Sequence, residues 1–215
     1  MAPFATIYSW PGNPRLKRAI VAANVNGLEL SFPPFDMTTA RDESFYKKFP
    51  LGKVPALETP SGFTLVESGA IAYYISASGP KAPQLLGSST SPETQAKIQQ
   101  WLAHVDLEFT TTLLPAIQMA IGRRPEDEAV KKESLDAVER GFKYLEGVLG
   151  ENRWVAGTQE WSLADVALAS FIETSYKLLF GREWRERWGN VLEWYERFVK
   201  EEGVKDVWGE ITYKE

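Results

Sequence analysis

Hydrophobic and polar positions divide the chain into two regions with different periodicities. Up to about residue 80, short runs rich in β-branched and aromatic residues, "FATIYS" and "LELSF", flank the segment "NPRLKRAIVAANVNG". In that segment Leu16, Ile20 and Ala23 recur at helical spacing, and Gly27 ends the pattern. The order predicts a strand, a helix and a second strand.

A second group of short elements follows in the same region. "DESFYKKF" predicts a short helix that ends before Pro50, and "VPALET" and "FTLVE" predict two strands joined by the turn "PSG". "SGAIAYYISASG" predicts another helix, bounded by Gly79 and Pro80. Together these elements predict a small α/β domain with a mixed four-stranded sheet over residues 1–80.

The rest of the chain has a different pattern. From Ala82 to Gln95 the residues Ser, Pro, Gly and Thr become frequent, which indicates a linker, and we place it at residues 81–90. Beyond the linker, apolar residues repeat at steps of three and four, which predicts an all-α bundle over residues 91–215. The two clearest stripes are Ile98, Trp101, Val105, Phe109 and Leu113, and Leu135, Val138, Phe142, Leu145 and Leu149.

The composition favours a cytosolic protein that binds neither a membrane nor nucleic acid. Of the 215 residues 44% are hydrophobic, and no run reaches the roughly 20 apolar residues that a membrane span requires. The start "MAPFATIYSW" has no charged leader or cleavage site, so a cytoplasmic location is the expectation. The net charge of -5 comes without a basic cluster, which argues against nucleic-acid binding.

Two residue types are scarce, and this excludes several kinds of chemistry. The chain has no cysteine, which excludes disulfides, zinc-thiolate and iron-sulfur sites and every cysteine nucleophile. It has one histidine, His104, which a Ser-His-Asp hydrolase would have to use, and no G-x-S-x-G motif accompanies it. A lone histidine in a helical pattern is more often a packed or half-exposed side chain, and we predict no metal site.

The stretch "GKVPALETPSGFTLVESGA" combines features that suit a peptide ligand. A proline at the start of a strand leaves the edge open, and an X-Pro bond can be cis, so Val54 before Pro55 could pair with an extended peptide. Glu67 and Ser68 stand where a helix begins, so Ser68 could hold a carboxylate and Glu67 an ammonium group. Lys53 could meet a second carboxylate.

Each of these features also has a purely structural interpretation. Pro55 can end a loop, Ser68 can be an N-cap, and Lys53 can be a solvated charge. Taken together, however, they suit a small zwitterionic peptide with carboxylates at both ends and one ammonium group. Glutathione is the common cytosolic peptide of that description.

The same residues carry a family resemblance. "GKVPALE" and "GFTLVESGAIAYYIS", followed by an all-helical half, resemble the cytosolic glutathione transferases, which pair a thioredoxin-like domain with a helical one. The resemblance implies that the residue before a cis-proline bonds the cysteinyl backbone of glutathione, and that the Glu-Ser pair holds its γ-glutamyl end. Carried over by position, these residues are Val54, Pro55, Glu67 and Ser68.

Further on, "WVAGTQEWSLADVALAS" looks like the start of a buried helix in the same family. Ser162 and Asp165 have the spacing of a capping box, in which each side chain caps a backbone N–H of the other residue. We predict a structural role for both residues and leave them out of the ligand site.

The resemblance is closest to the transferase-like domain of the gamma subunit of translation elongation factor 1B, from near Tyr8 to the final helices. That subunit continues through a charged linker into a second domain, whereas this sequence ends at Glu215. The expectation is therefore either an excised domain or a free-standing gamma-like transferase, as fungi have. The first implies a scaffold that docks other elongation-factor subunits, with glutathione binding vestigial or structural. The second implies a homodimeric enzyme that conjugates glutathione to electrophiles or reduces peroxides.

The resemblance also implies a hydrogen-bond donor to the glutathione sulfur near the end of the first strand. The segment "IYSWPGNPRLKR" offers Ser9 and Asn13, and then Tyr8, in that order of preference. Tyr8 is alternatively a core aromatic, and Asn13 alternatively an N-cap ahead of Pro14, a role compatible with the first. Arg15 could reach the ligand or pair with an acidic side chain.

The sequence also suggests an acceptor pocket and a contact with a dimer partner. An acceptor pocket for a small hydrophobic electrophile would be lined by Trp10, Phe109, Leu113 and Met119, although such a stripe is more often core. His104 and Asp106 would face this pocket or a dimer partner. In many family members an acid from the neighbouring subunit approaches the γ-glutamyl amine, and Asp106 is the candidate for that role.

Overall fold

The computed structural model describes residues 2–36 and 39–215. The chain divides into two compact units, Met1–Leu86 and Gly87–Glu215. The elements of the first unit are β1 (Ala5–Tyr8), α1 (Lys17–Asn26), β2 (Leu30–Ser31), α2 (Glu43–Lys48), β3 (Ala56–Glu58), β4 (Thr64–Val66), α3 (Ser68–Ala77) and α4 (Ala82–Leu86). A 3-10 turn, Pro14–Leu16, leads into α1.

The strands form one mixed sheet in the order β2-β1-β3-β4. β1 and β2 are parallel, as a β-α-β unit requires, whereas β3 is antiparallel to both β1 and β4. In register, Tyr8 of β1 lies beside Ala56 of β3, and Ala56 lies beside Val66 of β4. The predicted mixed four-stranded sheet is confirmed.

One buried amide joins the C-terminal ends of α1 and α3. Asn26 Nδ2 donates to the Ala22 carbonyl at 2.9 Å and to the Ile75 carbonyl at 3.3 Å, while its Oδ1 accepts from the Lys81 N–H at 2.8 Å. Gly79 leaves room for this side chain, because a Cβ there would lie 2.3 Å from Asn26 Oδ1. The amide thus links the last turn of α1 to the last turn of α3 and to the backbone of Lys81.

The segment predicted as a linker contains a short helix, α4. Its residues Leu85 and Leu86 are buried, so apolar burial orders a stretch whose composition indicates a loop. The break between the units follows at Gly87, which has a φ of +86°. Residues 87–91 then lead into the first helix of the second unit.

The second unit is helical throughout its regular structure, as predicted. Its elements are α5 (Pro92–Ala103), a π-helical turn (His104–Thr110), α6 (Thr111–Ala120), α7 (Glu128–Glu151), α8 (Leu163–Leu178), α9 (Arg182–Arg187), α10 (Gly189–Phe198) and α11 (Lys205–Trp208). Thirteen of the sixteen residues of α8 are buried, so α8 is the central helix of this unit. None of the helices in the described part of the chain is both long and apolar enough to cross a membrane.

Three residues predicted to line an acceptor pocket lie in the core of this unit. Phe109, Leu113 and Met119 are all buried. The Phe109 ring stacks on Phe171 with centroids 5.1 Å apart, and a Cβ at Gly141 would lie 2.1 Å from the Phe109 ring. The apolar stripe therefore packs within the unit, which favours the core alternative over the pocket prediction for these side chains.

The predicted capping box at the start of α8 is confirmed, and it belongs to a larger buried network. Asp165 is fully buried. Its Oδ2 accepts from the N–H and the hydroxyl of Ser162 at 2.9 and 3.1 Å. Its Oδ1 accepts from the Val155 N–H at 2.9 Å and from Trp194 Nε1 at 3.2 Å. One carboxylate thus joins the loop before α8, the start of α8 and α10.

We predict that Asp165→Ala will lower the free energy of unfolding by about 3 kcal/mol or more, because it leaves several buried donors unsatisfied. Asp127→Ala removes the exposed N-cap of α7, which accepts from the N–H groups of Ala129 and Val130. This control variant should lower the free energy of unfolding by about 1 kcal/mol. Denaturant unfolding of the full chain measures both, and equal small losses would contradict the importance of the buried network.

His104 lies in the π-helical turn and is packed among aromatic rings. Its ring meets Trp101, Phe109 and Tyr144 edge-on, with centroids 5.4, 4.8 and 5.9 Å away. Nε2 is buried without a hydrogen-bond partner among the described residues. Burial lowers the pKa of His104, and the negative charge of Glu108 opposes this shift without cancelling it. The packed alternative for this histidine is therefore favoured.

This environment predicts a pH dependence of stability. Because the pKa of His104 is lower in the folded state, the unfolded chain binds a proton first as the pH falls below about 6.5, and the free energy of unfolding decreases. Urea unfolding at about pH 7.5 and about pH 5.5 should show a larger loss for the wild type than for His104→Gln. Equal losses in the two proteins would contradict this role of the histidine.

Candidate functional site

The sheet register brings three separate segments to one edge. β1 ends at Tyr8, β3 begins at Ala56, and β4 ends at Val66, and these three residues lie side by side across the sheet. The residues that follow β1, precede β3 and follow β4 therefore leave the sheet at the same edge. They are Ser9, the Val54-Pro55 pair, and the Glu67-Ser68 pair, which are predicted site residues.

The Val54-Pro55 peptide bond is cis and lies directly before β3. Among the described residues, the N–H and C=O groups of Val54 form no hydrogen bond, since the β3 ladder begins only at Ala56. Val54 is half-buried. A half-buried peptide group next to a strand is suited to pairing with the backbone of an extended ligand.

The backbone at Glu67 has an unusual conformation, with φ 69° and ψ 119°. Among the described residues it is the only one other than glycine with positive φ. Strained residues of this kind occur where the surrounding structure over-determines them, often at ligand sites. Its side chain is exposed and forms no ion pair or hydrogen bond within the described chain.

The ten-residue helix α3 begins at Ser68 without a side-chain cap. Its first-turn N–H groups and the half-buried Ser68 hydroxyl are therefore open to an acceptor, and the helix dipole favours an anion. Glu67 beside them offers a negative charge. A ligand end that carries both a carboxylate and an ammonium group fits this pair of neighbours.

Two cations lie near the same edge. Lys53 is exposed and lines a cleft together with Glu67. Arg41 Nη1 donates to the Gly52 carbonyl at 3.3 Å, which holds a second cation beside Lys53. The sequence carries no local signal for Arg41, because only the tertiary fold brings it to Gly52. These cations could hold the second carboxylate of a peptide.

Ser9 and Asn13 form a buried pair after β1. Asn13 caps the 3-10 turn, its Oδ1 accepting from the Arg15 N–H at 3.1 Å, so the N-cap prediction is confirmed. Its Nδ2 donates to Ser9 Oγ at 2.9 Å. The two side chains preferred as sulfur donors are thus hydrogen-bonded to each other.

Tyr8 has a different environment. Its hydroxyl donates to Glu58 Oε2 at 3.0 Å, an oxygen that also accepts from Lys48 Nζ at 2.8 Å. Its ring packs against Phe45 and Phe49 with centroids 5.8 and 5.9 Å away. Burial, and then the hydrogen bond to Glu58, raise the pKa of Tyr8. The structure therefore favours the core alternative for Tyr8.

The remaining predicted residues are placed as follows. Arg15 is exposed, and its side chain has no partner among the described residues, while Trp10 is half-buried. Asp106 is half-buried in the π-helical turn of the second unit. The acceptor role of Trp10 and the subunit-bridging role of Asp106 stay predictions.

Comparison with known proteins identifies the class. The family description "Glutathione S-transferase, N-terminal domain" matches residues 4–77, and "Glutathione S-transferase, C-terminal domain" matches residues 127–197. A glutathione S-transferase-like protein from Fusarium sp is 37% identical over 97% of this chain and 94% of its own length. Another, from Gibberella moniliformis, is 36% identical over the same shares. The chain therefore belongs to the glutathione S-transferase family.

The similarity to elongation factor 1-gamma is also confirmed. Human elongation factor 1-gamma is 29% identical over 96% of this chain but only 46% of its own length. The GST-like domain of elongation factor 1-gamma from Saccharomyces cerevisiae has a TM-score of 0.85 at 26% identity, over 99% of this chain and 96% of that one. A delta-class glutathione transferase from Nilaparvata lugens has a TM-score of 0.79 at 27% identity, over 94% and 92%. These structures confirm the predicted glutathione transferase fold.

We predict that Tyr8→Phe will lower the free energy of unfolding by about 1 kcal/mol, because the hydrogen bond to Glu58 is lost. Any rate of glutathione conjugation that the wild type shows should be unchanged. Tyr73→Phe, at an exposed tyrosine of α3, is the matched control and should alter neither quantity. Loss of conjugation in Tyr8→Phe, with stability retained, would show that Tyr8 acts on sulfur.

Proposed function

We propose that the protein is a glutathione transferase that binds glutathione at the edge formed by Ser9, Val54 and Glu67. The proposal rests on three groups that lie together and have no partner in the described part of the chain: the Val54 peptide group, the uncapped start of α3, and the Glu67 carboxylate. They match the cysteinyl backbone, the γ-glutamyl carboxylate and the γ-glutamyl ammonium group. Lys53 and Arg41 offer cations for the glycyl carboxylate.

The proposed reaction depends on the thiolate of glutathione. Its thiol loses a proton to solvent, and the Ser9 hydroxyl donates a hydrogen bond that stabilises the thiolate. The sulfur then attacks an electrophilic carbon, a C–S bond forms, and the leaving group departs with its electron pair. In peroxide reduction, two glutathione molecules are oxidised to the disulfide while the peroxide is reduced to an alcohol and water.

The electrophile, the cellular location and the oligomeric state are proposed from the family. The electrophile is a small hydrophobic molecule, the enzyme is a cytoplasmic homodimer, and Asp106 of one subunit approaches the γ-glutamyl amine bound by the other. Similarity to two fungal glutathione S-transferase-like proteins over 94% of their own length supports the proposed transferase.

A second candidate is a non-catalytic scaffold like the transferase-like domain of the elongation factor 1B gamma subunit. The TM-score of 0.85 with the yeast domain favours this candidate. In that case the partners would be other elongation-factor subunits, and the bound glutathione would not be consumed. Binding and turnover therefore have to be measured separately.

We predict that the wild type binds glutathione in a calorimetric titration and conjugates it to a chlorinated dinitrobenzene. Glu67→Ala and Ser68→Ala should each weaken binding about tenfold or more, since each leaves a polar group of the ligand unpartnered. Ser78→Ala, at the other end of α3, and Glu43→Ala, in the first turn of α2, are the matched controls.

The outcomes separate the two candidates. Binding with turnover supports the transferase, whereas binding without turnover of this electrophile supports the scaffold. Unchanged affinity in both Glu67→Ala and Ser68→Ala would overturn the assignment of the site. Absence of wild-type binding would overturn the proposed function.

A further inference from the structure

The hydrogen bond between Asn13 and Ser9 has a defined direction. Asn13 Oδ1 accepts from the Arg15 N–H, so the opposite end of the amide, Nδ2, faces Ser9 Oγ. An amide nitrogen only donates, and Ser9 is therefore the acceptor. Both side chains are largely withdrawn from solvent, with exposed fractions of 8% for Ser9 and 3% for Asn13.

This bond leaves the hydroxyl hydrogen of Ser9 free to donate. A serine hydroxyl carries one hydrogen to donate, and Ser9 donates to no acceptor within residues 2–36 and 39–215. A donor this buried destabilises the folded protein when it has no hydrogen-bond partner. Since Asn13 occupies one lone pair of the oxygen, the hydroxyl can rotate only to positions that keep this bond. No acceptor among the described residues competes for its hydrogen.

We propose that Asn13 is a positioning residue that directs the Ser9 hydroxyl hydrogen towards the glutathione sulfur. The inference rests on the proposed function, because it requires glutathione at the sheet edge. Ser9 touches the sulfur, and Asn13 acts through Ser9. A hydrogen bond to an anion stabilises the anion, so the oriented hydroxyl lowers the pKa of the bound thiol. In the sequence, Ser9 and Asn13 are separate candidates for contact with the sulfur. In the structure, Asn13 donates to Ser9, so only Ser9 is assigned the contact with the sulfur.

The test measures the pKa of the bound glutathione thiol, from the ultraviolet absorbance of the thiolate as a function of pH. Ser9→Ala should raise this pKa towards the value of a free thiol, about 8.5. Asn13→Ala should raise it by about one unit, because the hydroxyl is no longer held. The double variant should match Ser9→Ala, since Asn13 acts only through the hydroxyl.

Asn13→Asp tests the direction of the bond. The carboxylate keeps an acceptor for the Arg15 N–H, so the cap of the 3-10 turn is preserved. It also accepts the Ser9 hydrogen and draws it away from sulfur. The thiol pKa should therefore rise at least as much as in Ser9→Ala. Asn152→Asp makes the same change at the end of α7, where Asn152 donates to the Val148 carbonyl, and should leave the thiol pKa unchanged.

Calorimetry on the same proteins separates failure of the inference from failure of the function. Wild-type binding with an unchanged thiol pKa in Asn13→Ala would overturn the inference and leave the proposed function standing. Shifts that add in the double variant would also overturn it, because they would show Asn13 acting on sulfur directly. If the wild type binds no glutathione, both the function and the inference fail.

Discussion

The antiparallel register of β1, β3 and β4 determines where everything else in the proposed site lies. Tyr8, Ala56 and Val66 occupy neighbouring positions, so at this edge the chain leaves the sheet after β1 and β4 and enters it before β3. A slip of one residue in any pair would turn the affected side chains to the opposite face. Ser9, Val54 and Glu67 converge because this register is kept, although up to 58 residues separate them in the sequence. The core below the edge, with Phe45 and Phe49 packed against Tyr8, holds that register.

The edge is chemically distinct because several backbone and side-chain groups there have no partner within residues 2–36 and 39–215. The Val54 peptide group lies outside the sheet ladder, the start of α3 has no cap, and the Glu67 backbone is in a disfavoured region. Asp165 is the opposite case, because its buried carboxylate accepts four hydrogen bonds. Unsatisfied groups carry a cost in stability, so their concentration at one edge is what a ligand site requires.

Local sequence signals predict much of this arrangement, and tertiary contacts decide the rest. Periodicity predicts the α/β and all-α halves, and the Ser162-Asp165 spacing predicts a capping box, because such a box involves only residues three apart. The family resemblance assigns the Val-Pro and Glu-Ser motifs to one site. By contrast, the Tyr8 hydroxyl donates a hydrogen bond to Glu58, which lies fifty residues further along the chain, and only the fold brings the two residues together. The apolar stripe that includes Phe109 matches both a pocket lining and a core, and its spacing alone cannot separate them.

A crystal structure of the protein with glutathione would test the proposed site. The γ-glutamyl carboxylate should lie about 3 Å from Ser68 and the first N–H groups of α3, with the ammonium group at Glu67. The cysteinyl backbone should pair with Val54, and the sulfur should lie within hydrogen-bond distance of Ser9 Oγ, which still accepts from Asn13. A tripeptide bound away from this edge, or a sulfur out of reach of Ser9, would contradict the site and the role assigned to its residues.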